Sequence, residues 1–175
     1  DFYTIREANR LGFILPSKRK AEEERYEGAF TKEPKAGLMK NVIEFDMKSM
    51  YPSIIMDFFI SPENIRDDGE ILIDDVKFKK KNGILQKLVR DIYEKRMKMK
   101  AEAKIIENEF GKDSREWEYV NMMQVMYKII INAMYGVFGY NKFRLFDVRV
   151  AKSITYMGRY IIQYINSYVE SLGYE

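Results

Sequence analysis

Between Ile84 and Phe138 the chain carries two long helical patterns separated by one short break, and no other feature constrains its fold as much. In the first, from about Ile84 to Phe110, Leu85, Leu88, Val89, Ile92, Met99, Ala103 and Ile106 fall on one face of an α-helix. Gly111 fits its C-terminal stop, since glycine enters the conformation that ends a helix at little steric cost. Asp113-x-x-Glu116 matches a capping box opening the second pattern, about Ser114 to Phe138. So short a connection makes the two helices antiparallel neighbours.

The remaining segments are shorter. Residues 1–16 predict a helix, with Ile5, Ala8 and Leu11 on one face, ending near Gly12 and stopped by Pro16. Ser17 to Arg25 is charged and lacks an apolar pattern, so it is expected to be a linker. Val42 to Phe45 reads as a short buried strand, and Pro52 as the first residue of a helix. Ile71 to Phe78 reads as a strand near a turn, closed by Lys79-Lys-Lys-Asn-Gly83. After Gly139, a turn around Tyr140 to Lys142 leads to a third helical pattern, about Arg149 to Leu172. The expected class is α+β.

With no Cys and no His, disulfides, zinc sites, thiol nucleophiles and imidazole bases are excluded. Any metal must be a hard cation held by oxygens, Mg2+ or Mn2+. No apolar stretch reaches membrane-spanning length, the acidic start is unlike a signal peptide, and the absence of Cys is compatible with a reducing cytoplasm. Lys77 to Lys104 holds eleven Lys or Arg against Asp91, Glu94 and Glu102, on a chain whose net charge is only +3. Such a basic segment suits a polyanionic partner, though a solvated helix face carries the same pattern.

Asp46 follows the apolar run and precedes a turn, Asp46-Met-Lys-Ser-Met-Tyr-Pro-Ser-Ile-Ile55. At a strand end, it would face the unpaired amides of Lys48 to Tyr51, a carboxylate beside N–H donors as a metal–triphosphate complex requires. Arg96 and Lys100 lie four apart on the first long helix, and Lys128, Asn132 and Tyr135 share one face of the second. Across an antiparallel hairpin these faces can converge into a cluster of three cations suited to phosphates. Lys128 is the only charge between Val120 and Phe138, so it is expected to need an anionic or hydrogen-bonding partner.

The Asp46–Ile55 string resembles the first polymerase motif of the family B DNA polymerases, and Lys128-Ile-Ile-Ile-Asn132-Ala-Met-Tyr135-Gly136 resembles their second. The second departs from the family pattern once, with Ala133 in place of Ser. Gly83-Ile-Leu85 with Arg96 and Lys100 is similar to the fingers helix. Tyr26-Glu-Gly-Ala29 is similar to the Tyr-x-Gly-Gly loop between exonuclease and polymerase modules, with Ala29 replacing the second glycine and putting that loop's geometry in question. Ser153 to Arg159 resembles the helix after the fingers.

The resemblance implies a segment of a template-directed DNA polymerase, archaeal in style, cytoplasmic and nucleoid-associated, acting by two-metal phosphoryl transfer. It would comprise a connector (1–25), a first palm part (26–78), helical-hairpin fingers (79–138) and a second palm part (139–175). Carried over, Asp46 and the Met47 carbonyl would bind metal. The amides of Ser49 and Met50 would touch the triphosphate. Tyr51 would exclude a ribose 2′-OH, and Arg96, Lys100 and Lys128 would hold phosphates. Asn132 and Tyr135 would align the nucleotide, with Tyr135 and Gly136 under the nascent pair, and Tyr26 and Gly28 would meet DNA. Implied partners are primer–template DNA, a deoxynucleoside triphosphate, a sliding clamp, and the polypeptide carrying the thumb and the third motif, Tyr-Gly-Asp-Thr-Asp. No Asp-x-Asp follows Asp147 here, so this segment alone is expected not to polymerise. The alternative is a non-catalytic, DNA-binding scaffold descended from a polymerase.

Overall fold

A computed structural model describes residues 2–18, 24–34 and 36–174, and it is α+β. Of the charged segment 17–25, residues 19–23 lie outside the described residues. The helices are α1 (Phe2–Arg10), α2 (Met50–Asp57), α3 (Ile84–Phe110), α4 (Arg115–Phe138) and α5 (Val148–Ser171). The strands β1 (Ile71–Ile73) and β2 (Val76–Phe78) pair antiparallel.

The long hairpin forms as its periodicity predicts, α3 packing along α4. Gly111 ends α3 at φ 81°, a left-handed value where other residues are strained. The cap of α4 differs from the expected Asp113–Glu116 box. Ser114 is the N-cap, its hydroxyl accepting from the Trp117 amide at 3.3 Å, one residue later than the box would place it.

The start of α3 is built into the core. The Glu63 carboxylate accepts from the Ile84 amide, and the Ser61 hydroxyl accepts from the Leu85 amide at 3.2 Å. Fully buried Gln86 accepts from the Gly83 amide at 2.9 Å and donates to the Ile55 carbonyl at 3.1 Å, tying α3 to α2. These contacts satisfy helix-end donors that burial would otherwise strand. Around them Ile54, Ile55, Ile60, Phe78, Leu85, Leu88, Val89 and Ile92 form a continuous core with Val150, Ala151 and Ile154 of α5. Helix α1 docks on α3 through charge: Glu7, 4% exposed, accepts from Arg10 at 2.7 Å, and Arg10 reaches Asp91 at 3.1 Å.

Ile71 to Phe78 is a two-stranded hairpin rather than one strand. Its turn is Asp74-Asp75, with Asp74 at φ 54°, a value Asp tolerates better than most residues. Lys152 of α5 grips both turn carboxylates at 3.0 Å. The expected strand at Val42–Phe45 does not form: Val42, Ile43 and Phe45 are 70–81% exposed, and no described strand lies alongside to pair their backbone. Pro52 is the third residue of α2, not the first, still inside the turn where its missing N–H costs nothing.

Candidate nucleotide-binding site

Helix α2 begins one residue after Ser49, which sits in the left-handed region at φ 55°, ψ 42° without a side-chain cap. The Ser53 amide makes the first helical bond, to the Ser49 carbonyl at 3.0 Å, and Pro52 has no amide. The amides of Met50 and Tyr51 therefore donate to no backbone acceptor among the described residues. Two unpaired donors at the positive end of a helix dipole suit an anionic group. Met47 is 39% exposed beside Asp46, itself an exposed residue just before this turn.

Tyr51 stacks on Tyr135 of α4, ring centroids 4.4 Å apart and planes 28° from parallel. Burial pushes the Tyr135 phenol far above its ordinary value, and Tyr26 and Tyr51 beside it add to the shift. Burial also raises the Tyr51 phenol, against the opposing charge of Arg159. Both are therefore neutral at physiological pH. Behind Tyr51 lies Gly158, where a methyl group would stand 3.0 Å from the Tyr51 ring. At Gly139 a methyl would come within 2.9 Å of the Tyr26 ring carbons. Two glycines thus make room for two of the three clustered rings, and Tyr26 packs within the cluster.

The loop carrying Tyr26 is held by α5. Arg159 donates to the carbonyls of Glu27 and Gly28, each at 2.8 Å, and pairs with the Glu27 carboxylate at 3.2 Å. Thr155 donates to the Glu27 carbonyl at 2.9 Å. Ala29 is not at positive φ, so the loop keeps this path without a second glycine. Arg159 and Thr155 are the clamps that sequence reasoning did not assign. The signal available was an arginine one turn beyond a threonine on the core-facing side of a helix.

The cations behave differently from the expectation. Lys128 is exposed, so it needs no partner, because α4 leaves Val125, Met126 and Ile129 exposed around it as well. Asn132, Ala133 and Gly136 are exposed too, and Gly136 has open space where a Cβ would stand. Lys100 is exposed, while Arg96 is half-buried with its Nε enclosed and without a hydrogen-bond partner. Neither lysine forms a described ion pair. A separate cavity of about 850 Å3 lies between the β-hairpin, residues 24–27 and α5, and includes none of these cations nor Asp46.

Among the described residues no three acidic side chains gather to hold a metal. Asp46 offers one carboxylate, and that donor set fits Mg2+, which is commonly held by one or two carboxylates together with substrate phosphates. No helix among the described residues is long and apolar enough to cross a membrane.

The family model for DNA polymerase family B matches residues 2–175. The DNA polymerase of Archaeoglobus fulgidus is 35% identical over the whole chain, and DNA polymerase 1 of Pyrococcus abyssi is 32% identical over 97% of it. In both cases the chain spans 22% of the relative's length. The structure of the family B DNA polymerase from Pyrobaculum calidifontis superposes with a TM-score of 0.77 at 30% identity, covering 97% of this chain and 23% of that one.

Proposed function

Since the chain belongs to DNA polymerase family B, we propose that it forms the nucleotide-binding part of a template-directed DNA polymerase. The observation that carries this reading is the Tyr51–Tyr135 stack set beside the two unpaired amides of α2. A flat, neutral aromatic surface next to anion-binding donors suits a nucleotide whose sugar meets a ring and whose phosphates meet N–H groups.

In this reading the amides of Met50 and Tyr51, and that of Ser49, receive triphosphate oxygens. Arg96, Lys100 and Lys128 neutralise the β- and γ-phosphates; the two lysines are exposed and free to swing inward. Tyr51 fills the space a 2′-hydroxyl would need, and its stack on Tyr135 with Gly158 behind keeps the ring from yielding. Asn132 and Tyr135 align the nucleotide, with Gly136 presenting backbone to the base pair. Tyr26 and Gly28 carry the duplex contact through a loop that α5 fixes. Asp46, with the Met47 carbonyl, would hold Mg2+ or Mn2+, which supplies Lewis-acid stabilisation of phosphoryl charge when bound. The chain's own part is positioning and fixed positive charge.

The fingers are α3 and α4 (79–138), between palm parts 26–78 and 139–175, with 1–25 as the connector. Primer–template DNA, a deoxynucleoside triphosphate, a sliding clamp and a polypeptide carrying the third motif and thumb are the partners. The test is primer extension. The pure 175-residue chain should show none, and adding a segment bearing the third motif and thumb should produce it. Extension by the chain alone would refute the reading.

A further inference from the structure

Toward its outer end the α3–α4 hairpin carries a second, open cavity, about 420 Å3, which the functional reading above does not use. It is lined by Lys100, Lys104 and Glu107 of α3 and by Trp117, Asn121 and Gln124 of α4. Trp117 is the only tryptophan of the chain, and half-buried. Lys100 and Lys104 are exposed, without a described ion pair, and one helical turn apart, about 6 Å along the axis. The one acid of the lining, Glu107, is paired to Lys112 at 3.3 Å. Gln124 donates to the Asn121 side-chain carbonyl at 2.9 Å, which leaves one carbonyl acceptor and one amide donor of this pair unengaged.

We propose that this cavity is a second nucleotide site, an outer docking position on the fingers for a nucleoside triphosphate. Each wall supplies a different part of the recognition. An indole offers a face for a nucleobase. The remaining carbonyl of Gln124 and amide of Asn121 can hydrogen-bond the edge of a base. Two unpaired ammonium groups meet phosphate. The volume lies within the range of sites that take small ligands. The two sites are connected: Arg96, Lys100 and Lys104 form one ridge of α3, and Gln124, Lys128, Asn132 and Tyr135 one ridge of α4, so Lys100 stands between the outer cavity and the inner face. A nucleotide bound outside needs to shift only along these ridges to reach the position assigned under the proposed function. The outer site rests on its own lining residues, and on that reading only for its role in delivery.

The experiment is a titration of the 175-residue chain with dATP, followed by the fluorescence of Trp117, with EDTA present so that no metal bound at Asp46 contributes. The expected result is saturable quenching that inorganic tripolyphosphate competes away. Lys104→Ala, an exposed position whose loss leaves the fold intact, should weaken binding about tenfold. Lys98→Ala, an exposed lysine of α3 outside the lining, should leave it within about twofold. No quenching in the wild-type chain overturns the proposal. Quenching abolished by Lys128→Ala and untouched by Lys104→Ala assigns the signal to the inner face and overturns it equally. Saturation by a single-stranded oligodeoxynucleotide in preference to dATP makes the cavity a template contact, which also overturns it. A failure of the inner-site reading would show instead as an unchanged nucleotide KM in Lys128→Ala polymerase, with the Trp117 titration unaffected.

Discussion

Gly83 is the residue on which the attachment of the long hairpin turns, and Gly83→Ala measures it. Its φ of −88° is open to any residue, so the constraint is space alone. An added methyl would lie 2.6 Å from Oε1 of Glu63 and 2.8 Å from both Cβ and Oγ of Ser61. Those two side chains cap Ile84 and Leu85, so the methyl cannot be accommodated without moving the caps. Overpacking of this kind costs about 1–3 kcal/mol, and losing a helix N-cap costs about 0.5–2 kcal/mol. Part of each cost is the same displacement, so the total should be roughly 2–4 kcal/mol rather than the full sum. For a chain of this size 1 kcal/mol corresponds to about 2–4 °C, giving a fall in Tm of roughly 5–15 °C by circular dichroism. Glu63→Ala loses the Ile84 cap, about 0.5–2 kcal/mol, together with the hydrogen bond it accepts from the Ser61 hydroxyl at 2.6 Å. The double variant should then be less destabilised than the two single effects added, because the displaced carboxylate is already gone. A Gly83→Ala chain melting within about 1 °C of wild type, or strictly additive effects, would refute the packing argument.

Other consequences follow in a polymerase assembled around this segment. Tyr51→Val should raise ribonucleotide relative to deoxynucleotide incorporation while retaining extension; equal slowing of both would make Tyr51 a packing residue only. Asp46→Ala should reduce extension by at least a thousandfold, about 4 kcal/mol of transition-state stabilisation. Lys128→Ala should raise the nucleotide KM, a charge-assisted contact being worth about 1.5–3 kcal/mol; weaker duplex binding at unchanged KM would move Lys128 to the DNA. For pH, the Arg10 hydrogen bond holds the buried Glu7 carboxyl below its ordinary value. Its contribution is therefore present above the unfolded carboxylate pKa, about 4.3, and is lost as pH falls through the lower folded value. Glu7→Gln should flatten that acid limb of Tm against pH, and an unchanged limb would show that other carboxylates set it.

Sequence legibility followed the range of the interactions. Helix α3 and its Gly111 stop were readable because periodicity and a left-handed glycine are properties of neighbours along the chain. The turn expected near Ile71 to Phe78 was not placed at Asp74-Asp75 because the segment is apolar at both ends and Asp is a weaker turn marker than Gly. Val42 to Phe45 was misread for a different reason. Apolar composition gives a segment the capacity to pair, but a strand exists only where another backbone lies beside it. At the site, spacing placed Lys128, Asn132 and Tyr135 on one face. It could not tell that Lys128 and Asn132 are exposed while Tyr135 is half-buried, since the solvent side of α4 is itself apolar.

The tyrosine cluster marks what lay beyond spacing altogether. Tyr26, Tyr51 and Tyr135 belong to three segments, and only the fold brings their rings together. The room for two of them comes from Gly139, the C-cap of α4, and from Gly158, inside α5, where a glycine costs the helix about 1 kcal/mol. That cost is consistent with close approach: a ring that must lie flat against a helix requires the absence of a Cβ beneath it. Gly158→Ala therefore acts on Tyr51 rather than on α5. A methyl 3.0 Å from the ring displaces it by a few tenths of an ångström, away from α5 and into the space assigned to the sugar. Deoxynucleotide incorporation should fall and ribonucleotide incorporation should fall further, the opposite of Tyr51→Val. Equal loss for the two sugars, or a loss explained wholly by a lower Tm, would show that Gly158 serves packing alone.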